Sequence, residues 1–192
     1  MARGIVIFDL DGTLTIPVLD FNAIRAEANL RPGPILESLA ELADDERRAA
    51  EAILRRHESA AAHGSKLQPG AADTIHELRE RGWPVAILTR NAREWTEVVL
   101  DKHGVKVDAL CTRDDGVIKP SPEPVRLLCA RAGRYPADSW MVGDHLFDIL
   151  SGRAAGAHTA LLLGPATEEA WKTKADYTIE SLPELLDLVD AR

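Results

Sequence analysis

The sequence predicts an α/β fold, in which a doubly wound parallel sheet forms the core and a small α-helical cap is inserted into it. Short apolar runs recur along the chain. From residue 68 onward they alternate with segments of helical spacing, which is typical of a parallel sheet covered on both faces. Between residues 18 and 66 the spacing is helical and no strand pattern interrupts it. We therefore expect residues 1–17 and 67–192 to form the core, and residues 18–66 to form the cap.

Length and composition describe a globular chain with an acidic balance. Its 192 residues suffice for one domain with an insertion, and 45% of them are hydrophobic. Lys and Arg number 23 against 31 Asp and Glu, which gives a formal net charge of −8. The sequence has neither clustered cations for nucleic acid nor an apolar run long enough for a membrane span. We expect no nucleic-acid or membrane partner, a cytoplasmic location, and free buried thiols at Cys111 and Cys129.

The first apolar run, residues 5–8, is typical of a strand buried on both faces. Asp9 and Asp11 follow it, and because side chains alternate along an extended segment, both carboxylates point the same way. Gly12 then allows a sharp turn of the backbone. A solvated turn or a calcium loop would also contain such residues, but a calcium loop has its glycine at position six and follows a helix. The sequence therefore predicts two acids at the edge where open α/β sheets bind ligands.

Helical spacing of apolar residues predicts three cap helices, over residues 20–30, 35–42 and 49–62. The Pro-Gly-Pro sequence at residues 32–34 separates the first two. Side chains of this segment that could meet a carboxylate or a second phosphate on a ligand are Arg25, Arg31, His57, His63 and Lys66. Side chains of these types are more often solvated on a helix surface than engaged with a ligand.

Strands and helices alternate through the rest of the chain. Further strands are predicted at residues 84–89, 107–112, 139–142, 159–163 and 176–179. Helices are predicted at residues 70–82, 91–102, 121–133 and 146–155, and after residue 181. The predicted helix starts are Asn91 with Glu94, Ser121 with Pro122, and Ser181 with Glu184.

Two further strand ends carry polar residues suited to an anion. Thr89, Arg90 and Asn91 lie between a strand and a helix start, where free backbone N–H groups favour phosphate oxygens. Residues that only end a strand and cap a helix would give the same pattern. Lys119 precedes Pro120, which biases the lysine toward an extended backbone and so holds its amine at a defined place.

The last strand end predicts a metal ion. Asp144 follows an apolar strand, and Asp148 lies one helical turn further on the same face. Two like charges at this spacing destabilise a helix unless a cation lies between them. His145, between the two acids, is expected to be structural or to flank the substrate, since oxygen ligands suit Mg²⁺ better.

Together these segments resemble the motifs of the haloacid dehalogenase-like hydrolases, most of which are magnesium-dependent phosphatases. The segments that carry the resemblance are residues 8–13 (Phe-Asp-Leu-Asp-Gly-Thr), Thr89, Lys119-Pro120, and residues 143–148 (Gly-Asp-His-Leu-Phe-Asp). The overall arrangement is most similar to the capped, phosphoglycolate phosphatase-like branch of that family, with a cap that is short for it. The resemblance implies a Rossmann-like core and Mg²⁺ as the cofactor.

The resemblance also implies a role for each site residue. It makes Asp9 the nucleophile that attacks phosphorus, Asp11 the general acid and base, and Lys119 the charge partner of Asp9 and phosphate. The residues implied in substrate binding are Gly12, Thr89, Arg90 and Asn91, and those implied in metal binding are Asp9, Asp11, Asp144 and Asp148.

We therefore predict a Mg²⁺-dependent phosphatase that hydrolyses a small phosphorylated metabolite through an aspartyl-phosphate on Asp9. Two alternatives stay open at this point. A phosphotransferase or phosphomutase would use the same intermediate but deliver it to another hydroxyl, and a non-catalytic module would only bind Mg²⁺ and phosphate. The sequence leaves the substrate and the oligomeric state open.

Overall fold

The computed structural model describes residues 3–191. Its centre is a sheet of six parallel strands in the order β3-β2-β1-β4-β5-β6. The strands are β1 Val6–Phe8, β2 Val85–Leu88, β3 Ala109–Cys111, β4 Trp140–Gly143, β5 His158–Leu162 and β6 Tyr177–Ile179. The predicted doubly wound, Rossmann-like α/β fold is confirmed.

Strand β1 lies at the middle of the sheet, with β2 on one side and β4 on the other. Val6 is in register with Val85 of β2 and with Trp140 of β4. The chain builds outward from β1 through β2 and β3, and then returns to start the other half at β4. The carboxyl ends of β1 and β4 therefore flank the point where the strand order reverses, which is where open α/β sheets bind their ligands.

Helices cover both faces of the sheet. They are α4 Ala71–Glu80, α5 Arg93–His103, α6 Glu123–Arg131, α7 Leu146–Ala155, the short α8 Glu169–Lys172 and α9 Leu185–Asp190. Alternate residues of β1 face opposite layers, because side chains alternate along a strand. Val6 and Phe8 join the apolar cluster under α4, α5 and α9, whereas Ile5 and Ile7 join the cluster under α6.

Three helices lie between β1 and α4, namely α1 Phe21–Glu27, α2 Ile35–Ala40 and α3 Asp44–Gly64. They share an apolar cluster of their own, formed by Ile24, Ile35, Leu39, Ala50 and Leu54. This cluster gives the inserted segment an interior separate from the two clusters on the sheet. The division of the chain into a core and a cap at residues 18–66 stays a prediction.

Several predicted boundaries are corrected by the structure. Helix α3 starts at Asp44, five residues before the predicted start at residue 49. Three acids occupy its first turn, where negative charge stabilises the helix dipole, and the prediction from apolar spacing alone missed that turn. Strand β3 is shorter than predicted, and α9 starts at Leu185 after a 3₁₀ turn over Leu182–Glu184.

Two predicted helix starts are also wrong. The residue that caps α5 is Ala92, and its first helical N–H, on Arg93, donates to the Asp114 carboxylate at 2.7 Å. Asn91 is consequently free to turn elsewhere. Helix α6 starts at Glu123, whose N–H donates to the Ser121 hydroxyl at 3.3 Å.

Cys111 and Cys129 are buried free thiols. Within residues 3–191, none of the helices combines the length and the apolar character that crossing a membrane requires.

Candidate active site

The site is built where β1, β2 and β4 end. Asp9 follows β1, and its N–H donates to the carbonyl of Val142 in β4 at 2.8 Å, which ties the two strand ends together. Asp144 follows β4, and Thr89 follows β2. These three residues, which are distant in sequence, come together because adjacent parallel strands end at the same edge of the sheet.

A buried lysine links two of the acids. Lys119 Nζ lies 2.7 Å from Asp9 Oδ1 and 2.6 Å from Asp148 Oδ1, and only 3% of the lysine side chain is exposed. Burial by itself would lower the pKa of Lys119, but the carboxylates of Asp148 and Asp9 outweigh it and raise that pKa. The lysine therefore keeps its positive charge at neutral pH.

Three acids offer a binding place for a cation. Asp9, Asp144 and Asp148 each bring one carboxylate oxygen to a position where all three oxygens lie within 4.8 Å of one another. With all three ionised and Lys119 protonated, the cluster carries −3 + 1 = −2. At an effective dielectric near 20, like charges about 4 Å apart repel by about 4 kcal/mol per pair. A divalent ion with a preference for oxygen ligands, such as Mg²⁺, fits this donor set and this charge.

The proton affinities of the acids reflect that excess charge. Burial, together with the neighbouring charges of Asp9 and Asp148, raises the pKa of Asp144 to about 7. Burial likewise raises the pKa of Asp9 to about 6, although Lys119 opposes the shift. Protons therefore compensate part of the charge near neutral pH, and a bound cation would release them.

Two glycines let the acids approach this closely. Gly12 has φ +83°, and a Cβ added to it would collide with the Asp144 carboxylate. A Cβ added to Gly143 would collide with the Asp148 carboxylate. Thr13, which the prediction did not single out, donates from its hydroxyl to Asp144 Oδ1 at 3.0 Å. Its place directly after the Asp-x-Asp-Gly sequence was the only signal for this role.

Asp11 sits beside this cluster in a different environment. Its carboxylate accepts hydrogen bonds from the side-chain amide of Asn91 and from the Thr15 hydroxyl, the latter at 3.4 Å. Burial raises the pKa of Asp11 to about 6, and the charge of Asp9 adds to the effect. An acid with this pKa can both donate and accept a proton near neutral pH.

The predicted place of Asp11 among the metal ligands stays a prediction. The side-chain oxygens that lie within 4.8 Å of one another are those of Asp9, Asp144 and Asp148. The carboxylate oxygens of Asp11 face Asn91 and Thr15.

The residues after β2 face three directions. The Thr89 hydroxyl is buried and accepts from the Asn91 N–H at 3.2 Å. The Asn91 side chain turns toward Asp11, which is why it does not cap α5. Arg90 turns toward the cap, where its guanidinium meets Glu37 of α2 at 2.5 Å and also donates to the Lys119 carbonyl at 2.5 Å. Asn91 thus faces Asp11, Arg90 faces the cap, and the Thr89 hydroxyl stays buried at the end of β2.

His145 caps α7 at the edge of the site. Its Nδ1 accepts from the N–H of Phe147 at 3.1 Å, and its own N–H donates to Asp148 Oδ2 at 3.0 Å. Its ring packs against Phe147 and Trp171, with ring centres 4.7 and 4.8 Å apart. These contacts orient Asp148 and form one wall of the site.

The cap meets the core through a second ion pair, which the sequence did not indicate. Arg113 binds Glu58 of α3 with both terminal nitrogens, one of them at 2.8 Å. Only 2% of the Glu58 side chain and 16% of the Arg113 side chain are exposed. Burial raises the pKa of Glu58 against the opposing effect of Arg113. This pair joins α3 to the loop after β3.

Of the five cap side chains named from the sequence as candidates to meet a ligand, four bond within the cap. Their partners are Asn22 and the Gly33 carbonyl for Arg25, Glu41 for Arg31, Glu27 for His57, and the Ser59 carbonyl for His63. Lys66 is exposed. The cap residues that do bond to core side chains near the site are acids, Glu37 and Glu58, which the prediction did not single out.

The haloacid dehalogenase-like hydrolase family model matches residues 4–156 of this chain. A haloacid dehalogenase-like hydrolase domain-containing protein of Arabidopsis thaliana is 29% identical over 98% of this chain and 84% of its own length. The pyrophosphatase PpaX of Halalkalibacterium halodurans is 30% identical over 100% of this chain and 99% of its own length.

Solved structures share the fold. A crystal structure described as a predicted phosphoglycolate phosphatase, from Haemophilus somnus 129pt, superimposes with a TM-score of 0.80 at 21% identity, covering 98% of both chains. A hydrolase from Pseudomonas syringae gives a TM-score of 0.79 at 21% identity, covering 98% of this chain and 99% of that one.

Proposed function

Because the chain belongs to the haloacid dehalogenase-like hydrolases, we propose that it is a Mg²⁺-dependent phosphatase acting on a small phosphorylated metabolite. One observation carries the proposal. Asp9 lies at a strand end, 2.7 Å from the buried Lys119 amine and within reach of Asp144 and Asp148, in a cluster that carries −2 when all three acids are ionised. Such a cluster suits a divalent cation and a phosphoryl group together.

Asp9, Asp144 and Asp148 are the residues that would hold Mg²⁺, because their oxygens converge. The ion would supply positive charge that offsets the repulsion between the Asp9 carboxylate and the phosphoryl oxygens. Thr13 orients Asp144 through its hydroxyl, and His145 orients Asp148 through its backbone N–H. These contacts keep the ligand oxygens in place.

In the first step, an oxygen of Asp9 attacks phosphorus and the bond between phosphorus and the ester oxygen breaks. The leaving oxygen keeps the electron pair and takes the proton of Asp11, whose pKa of about 6 leaves part of it protonated near neutral pH. The Lys119 amine and the Thr89 hydroxyl stabilise charge on the phosphoryl oxygens.

In the second step, the ionised Asp11 takes a proton from water, and the water oxygen attacks the phosphorus of the aspartyl-phosphate. The bond between phosphorus and the Asp9 oxygen breaks, inorganic phosphate leaves, and the Asp9 carboxylate is restored. Asn91 and Thr15 hold the Asp11 carboxylate for both proton transfers.

Residues 18–66 would act as the cap that limits access to Asp9, with residues 1–17 and 67–192 as the catalytic core. The relatives named as a pyrophosphatase and as a phosphoglycolate phosphatase support a small phosphorylated substrate. The net charge of −8 argues against nucleic acid as the substrate. The expected cytoplasmic location stays a prediction.

The proposal is tested by phosphate release from a panel of small phosphorylated acids, sugars and nucleotides and from pyrophosphate, with Mg²⁺ and with a chelator. We expect turnover of at least one member that the chelator abolishes and added Mg²⁺ restores. The Asp9→Asn variant should bind Mg²⁺ and release no phosphate above background. Turnover by Asp9→Asn at the rate of the unaltered protein would refute the proposed mechanism.

A further inference from the structure

Resting on the proposed function, we propose that Arg90 recognises a second anionic group of the substrate, and that the Glu37 carboxylate of the cap occupies this position in the ligand-free protein. The substrate class is then a phosphate ester or anhydride with a carboxylate or another phosphate near the reacting phosphoryl group. Binding of that second group displaces Glu37 from Arg90. Recognition of the substrate thereby replaces one contact between core and cap.

The core fixes the Arg90 guanidinium on two sides. One terminal nitrogen donates to the Lys119 carbonyl at 2.5 Å, and the guanidinium carbon lies 4.9 Å from the centre of the Phe147 ring. A guanidinium stacked on an aromatic face and bonded to a carbonyl has lost most of its freedom before a ligand arrives. The other terminal nitrogen points to the cap and meets Glu37 Oε2 at 2.5 Å.

This guanidinium lies next to the phosphoryl site. Arg90 follows Thr89, it is held by the backbone of Lys119, and the Lys119 amine lies 2.7 Å from Asp9. Phe147, on which the guanidinium stacks, directly precedes Asp148. In the proposal, the group bound to Arg90 and the phosphoryl group held at Asp9 belong to the same small molecule, because Lys119 and the Phe147–Asp148 segment contact both places.

The contact with Glu37 shows which chemistry Arg90 accepts. A guanidinium presents its N–H donors in a planar fork that fits carboxylate and phosphate oxygens alike. Glu37 already supplies a carboxylate there, and it is 45% exposed while Arg90 is 19% exposed. Exposed ion pairs of this kind contribute about 0–1 kcal/mol, so an incoming anion can replace Glu37 at little cost.

The Glu58–Arg113 pair behaves differently, and the difference explains how the cap stays attached. That pair is bidentate, and only 2% of the Glu58 side chain is exposed. Separating it would leave a buried carboxylate without its partner, which is costly. The cap thus keeps its attachment at α3 while α2 exchanges its contact with Arg90 for the substrate.

The test compares phosphoglycolate, which carries a second anionic group, with para-nitrophenyl phosphate, which does not; pyrophosphate serves as the phosphate-bearing counterpart. For Arg90→Gln, the loss in kcat/KM should be at least about tenfold larger for phosphoglycolate or pyrophosphate than for para-nitrophenyl phosphate. Arg90→Lys should recover part of this difference, because it restores the charge without the fork. Of phosphoglycolate and pyrophosphate, the probe with the larger factor identifies the second group as a carboxylate or a phosphate.

Glu37→Gln should act in the opposite direction. With the competing carboxylate removed, the KM for phosphoglycolate should fall about threefold to fivefold, and kcat should change much less. The matched control is Glu41→Gln, because Glu41 is an exposed cap glutamate that pairs with Arg31 inside the cap. Glu41→Gln should change the KM for phosphoglycolate and the KM for para-nitrophenyl phosphate by no more than about twofold.

Equal losses for all three probes in Arg90→Gln would overturn the proposal, as would an unchanged or raised KM in Glu37→Gln. If the unaltered protein hydrolyses none of the probes with Mg²⁺, the proposed function fails on these substrates, and calorimetric binding then tests the inference alone. In that measurement Glu37→Gln should bind phosphoglycolate more tightly than the unaltered protein, and Arg90→Gln should bind it more weakly. Equal affinities would again overturn it.

Discussion

The floor of the site and its border with the cap are both built from ion pairs, but their burial differs. On the floor, Lys119 is 3% exposed and lies between the carboxylates of Asp9 and Asp148. At the border, Arg90 and Glu37 form a single contact and are 19% and 45% exposed. Water does not screen the buried charges of the floor, whereas solvent and ligands can reach the charge of Arg90 at the border.

This difference separates chemistry from recognition. Buried charges are expensive to place, so the floor takes its geometry from the strand ends and from two glycines that admit the carboxylates. The exposed pair costs little to break, so it can respond to a ligand. We therefore expect changes on the floor to have large effects on turnover or stability. Changes at the exposed border should have small effects that depend on the substrate.

The largest effect is expected for Asp9→Asn. Removing the nucleophile should lower kcat by at least about 10⁴-fold, in line with the loss of other catalytic nucleophiles. The midpoint of thermal unfolding should stay or rise, because the variant buries one charge fewer. Phosphate release and calorimetric unfolding check the two parts.

Asp73→Asn is the control, because Asp73 is an exposed acid in the first turn of α4. It should keep kcat within about twofold of the unaltered protein. A similar loss in both variants would mean that the effect of Asp9→Asn is not specific to the floor.

The next largest effect is on stability, for Lys119→Met. The substitution leaves Asp9 and Asp148 buried with no positive partner at 2.6–2.7 Å, and breaking a buried pair in this way costs about 3–5 kcal/mol. Urea unfolding at pH 8 without Mg²⁺ measures it. In Lys172→Met, which breaks the surface pair with Glu169, the loss should stay below about 1 kcal/mol. Equal losses in the two lysine variants would remove the contrast between floor and surface.

Within the border itself, the two cap glutamates should differ. Glu58→Gln weakens a buried bidentate pair with Arg113 and should cost about 1–3 kcal/mol in the free energy of unfolding. Glu37→Gln weakens an exposed single contact and should cost less than about 1 kcal/mol. Both values come from the same urea titration. A larger cost for Glu37→Gln would reverse the assignment of anchor and exchangeable contact.

The last prediction concerns the pH dependence of Mg²⁺ binding. Asp144 and Asp9 have pKa values raised to about 7 and about 6, so both gain protons as the pH falls from 8 to 6. Because their pKa values are raised, Asp144 and Asp9 are protonated in the metal-free protein at low pH and ionised above pH 7. Mg²⁺ binding needs both acids in the ionised form. The affinity for Mg²⁺ should therefore fall at least about tenfold, or about 1.4 kcal/mol, from pH 8 to pH 6.

Calorimetry at constant ionic strength measures this change, and buffers of different ionisation enthalpy count the protons released. Binding at pH 7 should release protons. An affinity that is the same at pH 8 and pH 6 would mean that Asp144 and Asp9 are not the ligands.

The floor could largely be predicted from sequence, because local signals define it. An apolar run over residues 5–8 followed by Asp9 predicts a strand end, and the same logic applies to Thr89 and Asp144. Parallel strands that neighbour one another must end at one edge, so four separate segments could be brought together without coordinates. The approach of Asp9 and Asp144 follows from topology.

The border could not be predicted in this way. The pairing of Arg90 with Glu37, and of Arg113 with Glu58, depends on how the cap helices pack on the core, and the sequence around a charged residue does not indicate its partner. Asn91 illustrates the limit most clearly. Its sequence context indicates a helix cap, but the nearby Asp11 carboxylate and the Asp114 carboxylate at the helix start redirect it.

The most direct test of the central claim follows phosphate onto the protein in the Asp11→Asn variant, with para-nitrophenyl phosphate as substrate. Nitrophenolate can leave without a proton from residue 11, whereas hydrolysis of the aspartyl-phosphate needs Asp11 as a base. We expect a stoichiometric burst of nitrophenolate and, after acid quenching, a phosphoryl group on the peptide that contains Asp9. Release of product with no phosphoryl group on the protein, or with the group on another residue, would contradict the account.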